Sequence, residues 1–227
     1  MPSVKICGLQ TADMVRSVAS LPVDHIGFLF ARSKRQVTVE QASELLRVLR
    51  ETGKSGKPEA VGVFVNPAIE ELQAIMTAAP LDIIQLHGQE SPEFCRAVKE
   101  AFPGAKVLKV WSLAGQSESS LTKEQVSAQL EPFQPYIDGV LLDTFDPVYG
   151  GGSGKTFAWD TIPPYQAWCR EAGIPLLVAG GLHPENVQDL LHTYGPDGVD
   201  VSSGVETDGT KDIHKIRSFV ERVKANV

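Results

Sequence analysis

Cysteine is scarce in this chain: Cys7, Cys95 and Cys169 are the only three in 227 residues. They are too few and too scattered for a disulfide framework or a zinc site, so the thiols are expected to be reduced, as in a cytoplasmic protein. Long apolar runs are missing too. None approaches the roughly 18 residues that a membrane span needs. The opening MPSVKICGLQ has no apolar segment of the secretory kind and reads directly as structure. Basic excess is the third absence. Lysine and arginine total 21 against 28 aspartates and glutamates, a net charge of −7, which argues against a protein that grips a phosphate backbone. Linkers and low-complexity tracts are also lacking, so one domain over residues 1–227 is expected.

Apolar residues make up 42% and charged residues 22%, enough to bury a full core. Short β-branched runs alternate with helix-period stretches throughout. The predicted strands are Val4–Cys7, His25–Leu29, Ala60–Val65, Asp82–Leu86, Lys106–Val110, Gly139–Leu142, Pro175–Val178 and Gly198–Val201. The predicted helices are Thr11–Ala19, Val39–Arg50, Pro67–Ala78, Pro92–Phe102, Lys123–Leu130, Trp159–Ala172, Pro184–Tyr194 and Lys211–Lys224, several opening on proline at or near the first helical position. Eight strand–helix repeats in about the length such a fold needs imply the α/β class. They favour a single (β/α)8 TIM barrel of the phosphate-binding type over an open sheet. No sequence repeat is evident.

Side-chain alternation sharpens this reading, because successive strand residues face opposite ways. It places Lys5 and Cys7 inward on the first strand, Gln85 and His87 on the fourth, and Lys109 on the fifth. Asp143 on the sixth and Asp200 and Ser202 on the eighth also point inward. Most of these lie at strand C-terminal ends, where barrel enzymes build active sites.

Three glycine-rich stretches follow late strands. Gly150-Gly151-Gly152-Ser153-Gly154-Lys155-Thr156 invites a nucleotide P-loop reading. That motif needs a glycine where Tyr149 stands, so a mobile lid hinged on glycines is the better expectation. Ala179-Gly180-Gly181-Leu182 ends strand seven, and Ser202-Ser203-Gly204-Val205-Glu206 ends strand eight. With a short extra helix, backbone N–H groups at these two ends form a phosphate site common in this fold.

An isolated cysteine is ordinarily a small buried hydrophobe, and Cys95 and Cys169 read that way. Cys7 differs, with Lys5 on the same strand face and Gly8 after it. A nearby cation is expected to lower its pKa and fit it as nucleophile or general base. Asp143 reads either as a general acid or base across the pocket, or as a structural partner of Lys5 or Lys109. Arg35, in Ser33-Lys34-Arg35, is either a solvated basic residue or a fork for a substrate carboxylate. His87 is either a satisfied interior histidine or a substrate contact. His25, His183, His192 and His214 show no metal-ligand spacing, and no metal site is expected.

Several motifs now stand in order: Lys5-Ile6-Cys7-Gly8-Leu9, Gln85-Leu86-His87-Gly88, Leu141-Leu142-Asp143-Thr144, Gly151-Gly152-Ser153-Gly154-Lys155-Thr156-Phe157, Ala179-Gly180-Gly181-Leu182 with Pro184-Glu185-Asn186, and Val199-Asp200-Val201-Ser202-Ser203-Gly204-Val205-Glu206. Over nearly the whole chain this series resembles the phosphoribosylanthranilate isomerases of tryptophan biosynthesis. The resemblance implies a cofactor-free Amadori rearrangement of a phosphorylated small molecule. It implies Asp143 as general acid, Cys7 as general base and Arg35 on the substrate carboxylate. Asp200 would hold sugar hydroxyls and His87 would contact substrate. Gly154, Gly180, Gly181, Ser202, Ser203 and Gly204 would meet the ligand around its phosphate. The expected state is a cytoplasmic monomer or weak homodimer.

Two positions depart from the family pattern. Three glycines follow Tyr149 where two are usual, and Ala158 replaces a frequent aspartate. Both bear on loop closure rather than on the chemistry. A sister isomerase of histidine biosynthesis carries aspartate where Cys7 stands. A catalytically silent phosphate sensor would have no need for both Cys7 and Asp143.

Overall fold

The runs of valine, isoleucine and leucine pair edge to edge in chain order. The computed structural model describes residues 1–52, 58–113, 121–143 and 159–225. Its barrel strands are β1 (Ser3–Cys7), β2 (His25–Leu29), β3 (Glu59–Phe64), β4 (Ile83–Leu86), β5 (Lys106–Ser112), β6 (Gly139–Asp143), β7 (Leu176–Val178) and β8 (Gly198–Val201). All neighbours are parallel, and β8 returns to β1 to close the barrel. Around it lie α1 (Ala12–Ala19), α2 (Val39–Thr52), α3 (Ile69–Ala78), α4 (Pro92–Ala101), α5 (Lys123–Leu130), α6 (Ile162–Ala172), α7 (Val187–Tyr194) and α8 (Ile213–Lys224). Among the described residues, no helix is long and apolar enough to cross a membrane.

Local chemistry sets the helix ends. Thr11, Ser91 and Thr122 each accept a first-turn N–H, the last within a reciprocal capping box with Gln125. Gly173 and Gly195 end α6 and α7 in the left-handed conformation. Pro92 opens α4 as expected. Pro67 and Pro184 instead precede their helices, which begin at Ile69 and Val187.

The predicted core divides into two shells. Outward strand residues such as Val4, Ile6, Ile84 and Val199 merge with the helix faces. Inside the barrel, Val61, Ile83, Leu108, Val110, Leu141, Leu177 and Ala179 form a separate apolar plug. This overturns the inward placement of Lys109. Leu108 and Val110 are apolar neighbours on either side of it, and they take the interior phase. Lys109 therefore lies on the helix side, almost fully buried, 2.9 Å from Glu90. Its Nζ also donates to the carbonyls of Leu86, Gly88 and Val110. Glu90 in turn accepts from the N–H groups of Asn66 and Gly88, tying together the ends of β3 and β4.

A repeat that the sequence reading does not see emerges at the N-terminal end of the barrel. Each even strand is preceded by an aspartate whose Oδ2 accepts a backbone N–H from the strand before it. Asp24 takes Val4, Asp82 takes Ala60, Asp138 takes Val107 and Asp197 takes Leu176, all at 2.7–2.9 Å. Four carboxylates thus satisfy donors that the ladder leaves over. We expect Asp82→Ala and Asp197→Ala each to lower stability by about 1–3 kcal/mol, since a charged acceptor is removed from a buried N–H. Urea unfolding checks this, and unchanged midpoints would show the bonds to be dispensable.

Candidate active site

A cavity of about 480 Å³ opens at the C-terminal ends of the strands, and its polar wall is built from the first, second, fourth, fifth, sixth and eighth. Cys7 ends β1 inside it. Gly27 is its register partner on β2. A Cβ at Gly27 would fall 2.8 Å from the Cys7 sulfur, so only glycine leaves the thiol its room. One layer deeper, fully buried Lys5 reaches the register partner Asp200 across the β1–β8 seam, Nζ to Oδ2 at 2.9 Å. The second oxygen of Asp200 is buried with no hydrogen-bond partner among the described residues.

This ion pair decides the electrostatics around the sulfur. Burial works against the Lys5 charge, but the Asp200 carboxylate and Cys7 outweigh it and hold the ammonium above its ordinary pKa. The Cys7 thiol is pushed up, chiefly by burial and further by Asp200, while Lys5 and Lys211 pull it back only in part. The expectation of a depressed thiol pKa is therefore corrected: Lys5 does lower it, but burial, helped by Asp200, outweighs the lysine.

At the end of β6, Asp143 faces His87, with Oδ2 3.3 Å from Nε2. The other imidazole nitrogen lies 3.3 Å from the Gln85 side-chain amide. With that amide donating to Nδ1, the histidine proton sits on Nε2 and points at Asp143. Arg35 rises from the loop after β2 and gives one edge of its guanidinium to Glu206, Nε–Oε1 at 2.5 Å and Nη2–Oε2 at 2.8 Å. Lys211 joins the same carboxylate at 2.7 Å.

The loops after β7 and β8 meet through backbone. Gly180 and Gly181 take positive φ, +92° and +63°, a conformation open to glycine. A Cβ on Gly204 would fall 1.8 Å from the Leu182 carbonyl oxygen. Asn186 clasps the first loop, donating to the Gly181 carbonyl and accepting from the His183 N–H. Among the described residues, no backbone carbonyl accepts from the N–H groups of Gly180, Gly181, Ser203 or Gly204. The short extra helix after β8 is a single 3-10 turn, Ser203–Val205. No metal-binding cluster of histidine, cysteine and carboxylates occurs among the described residues.

Residues 4–222 match the family model described as N-(5′-phosphoribosyl)anthranilate (PRA) isomerase. A Brevibacillus brevis N-(5′-phosphoribosyl)anthranilate isomerase is 44% identical over 226 residues, covering 100% of this chain and 95% of its own. The chain belongs to the phosphoribosylanthranilate isomerase family. The Thermotoga maritima phosphoribosyl anthranilate isomerase has the same fold at a TM-score of 0.80 and 34% identity, with 99% of this chain and 100% of that one covered. Another isomerase structure (TM-score 0.77, 30% identity, 99% and 100% covered) holds reduced 1-(o-carboxyphenylamino)-1-deoxyribulose 5-phosphate.

Ten of the residues named from the sequence line this cavity of the isomerase: Cys7, Arg35, His87, Asp143, Gly180, Gly181, Asp200, Ser202, Ser203 and Gly204. Gly154, the glycine-rich stretch around it and Ala158 lie outside the described residues. The sequence reading misses Glu206 and Lys211 as parts of the site. Their signal is Asp208-Gly209, a two-residue hairpin turn between β9 (Glu206–Thr207) and β10 (Thr210–Lys211).

Because Asp200 raises the thiol pKa and Lys5 lowers it, Asp200→Asn should move the onset of Cys7 alkylation by iodoacetamide to lower pH. Lys5→Met should move it higher. Peptide mass spectrometry localises the label, and Cys95 and Cys169, held at about 11 and about 12 by burial, remain unlabelled. Equal profiles in all three proteins would contradict this assignment.

Proposed function

We propose that this isomerase converts N-(5′-phosphoribosyl)anthranilate to 1-(2-carboxyphenylamino)-1-deoxyribulose 5-phosphate with Asp143 as acid and Cys7 as base. Asp143 gives its proton to the ribose ring oxygen as the C1′–O bond breaks. The nitrogen lone pair forms C1′=N⁺, an open-chain Schiff base. Cys7, entering as the thiolate, then takes the C2′ proton and becomes the thiol, and the C–H electrons form C1′=C2′ while neutralising the nitrogen. The resulting enolamine gains a proton at C1′ and loses one from the C2′ hydroxyl to give the ketone. Atoms balance without any added reagent, as an isomerisation requires.

The observation that carries this reading is the placement of one thiol and one carboxyl on β1 and β6 around a single cavity. Energetics supports it as well. Burial and Asp200 raise the Cys7 pKa while Lys5 and Lys211 lower it. The iminium cation formed in the first step would add to the lysines in favouring the thiolate, the form of Cys7 that can take a proton. His87 would direct the Asp143 carboxyl, and the free oxygen of Asp200 would accept from a sugar hydroxyl. Arg35 would hold the anthranilate carboxylate, and the unpaired amides after β7 and β8 would bind phosphate. The glycine-rich stretch bearing Gly154 would complete that end. The barrel would act as one domain, in the cytoplasm, as a monomer or weak homodimer.

Cys7→Ala and Asp143→Asn should each reduce kcat by about 10²–10⁴-fold, the usual worth of a positioned acid or base. Binding of the reduced product analogue should persist in both. A fluorescence assay with freshly made substrate, coupled to indole-glycerol-phosphate synthase, reads the rate. Near wild-type turnover by Cys7→Ala would overturn the mechanism.

A further inference from the structure

Arg35 is held more firmly than a solvated loop arginine needs to be. Its stem crosses Gly8, where a Cβ would fall 2.7 Å from the arginine Cδ, so the residue after Cys7 must be glycine for the arginine to lie there. Its head is fixed by Glu206, whose side chain is only 7% exposed. Glu206 comes from a rigid source. Glu206 and Lys211 are register partners across the hairpin, and Asp208 and Gly209 turn it with φ of +51° and +77°. Lys215 holds the Glu206 carbonyl, and Lys211 also donates to the Ser202 carbonyl beside the β8 loop.

The charge count at this point is uneven. Arg35, Lys211 and Lys34 (3.5 Å) surround one carboxylate. Burial pushes the Glu206 carboxyl up, but bonds from Arg35 and Lys211 dominate and bring it to about 2, so it stays ionised. One anion among three cations leaves the cluster with net positive charge, and Arg35 is its member that lines the cavity. A guanidinium has two bidentate edges, and Glu206 occupies only the one through Nε. Nη1 donates to no described residue, and Arg35 lines the cavity. The open edge is a second fork.

We propose that Glu206 is a positioning residue that fixes the open edge of Arg35 for the carboxylate of the substrate and thereby makes the enzyme select an ortho-carboxylated arylamine. The inference rests on the reading of Arg35 as the carboxylate-binding residue. Because Glu206 leaves the loop after β8, it also ties the carboxylate grip to the phosphate end, setting the span between the two charged ends of the ligand.

The test compares two probes by calorimetry: reduced 1-(o-carboxyphenylamino)-1-deoxyribulose 5-phosphate and the same compound without the carboxyl group. The ratio of their affinities measures carboxylate selectivity. Arg35→Ala and Glu206→Gln should each lower that ratio by about tenfold or more, as loss of a charge-assisted contact does. Affinity for the decarboxylated probe should hardly change. A ratio lost in Arg35→Ala but kept in Glu206→Gln overturns this proposal while the Arg35 reading stands. A ratio unchanged in Arg35→Ala overturns both. Equal weakening of both probes by Glu206→Gln reduces Glu206 to scaffold and overturns the proposal. If Glu206→Gln does not fold, Arg35→Lys keeps the ion pair but loses the fork. It should show the same loss of selectivity, and full selectivity there refutes the role of a fixed second edge.

Discussion

The buried pair of Lys5 and Asp200 is the interaction on which site and fold both depend. The two residues are register partners on β1 and β8, so their bond lies across the seam where the barrel closes. Burying either charge alone is costly, and breaking such a pair leaves an uncompensated ion inside the protein. Losing one partner alone is therefore expected to cost stability at this seam. The pair also forms the floor beneath Cys7. Burial, with Asp200 adding to it, holds the thiol above its ordinary pKa although Lys5 lies beneath it. Asp200 meanwhile retains one unpaired oxygen at the cavity.

Polar groups in this molecule divide by end. At the N-terminal end, Asp24, Asp82, Asp138 and Asp197 satisfy backbone donors, and two of them also pair with Lys224 and Lys99. These are self-contained interactions with their partners supplied by the chain. At the C-terminal end, the Asp200 oxygen and the amides after β7 and β8 have no such partners among the described residues. An apolar plug from Val61 to Leu177 separates the two sets. Stability is concentrated below the plug, and unmet polar capacity above it, as expected for a barrel enzyme.

Much of this was legible in the sequence. The β2 and β8 runs have the predicted limits, and the other strands differ at one or both ends by one or two residues, because period-two alternation against a helix layer is a strong signal. Inward placement of Cys7, His87, Asp143 and Asp200 followed from the same alternation. It failed on β5, where Leu108 and Val110 are apolar and the phase of Lys109 depends on Glu90, a partner from another loop. Alternation describes one strand at a time and cannot see that contact. The Cys7 pKa failed for a related reason. Lys5 beside a cysteine is visible in sequence, but the complete burial of the thiol and its closeness to Asp200 depend on barrel closure and the β1–β8 register. Glu206 was legible as part of a motif but not as the clamp on Arg35, since a hairpin brings it there.

On the proposed mechanism, Lys5 favours and Asp200 opposes the Cys7 thiolate that takes the C2′ proton. Single-turnover rates with substrate carrying deuterium at C2′, in the unmodified enzyme and in Lys5→Met, test it most directly. Removing Lys5 leaves Asp200 to oppose the thiolate, so proton abstraction should slow and the isotope effect should rise. Binding of the reduced product analogue should be retained. An unchanged rate and isotope effect in a folded, ligand-binding Lys5→Met protein would contradict the account.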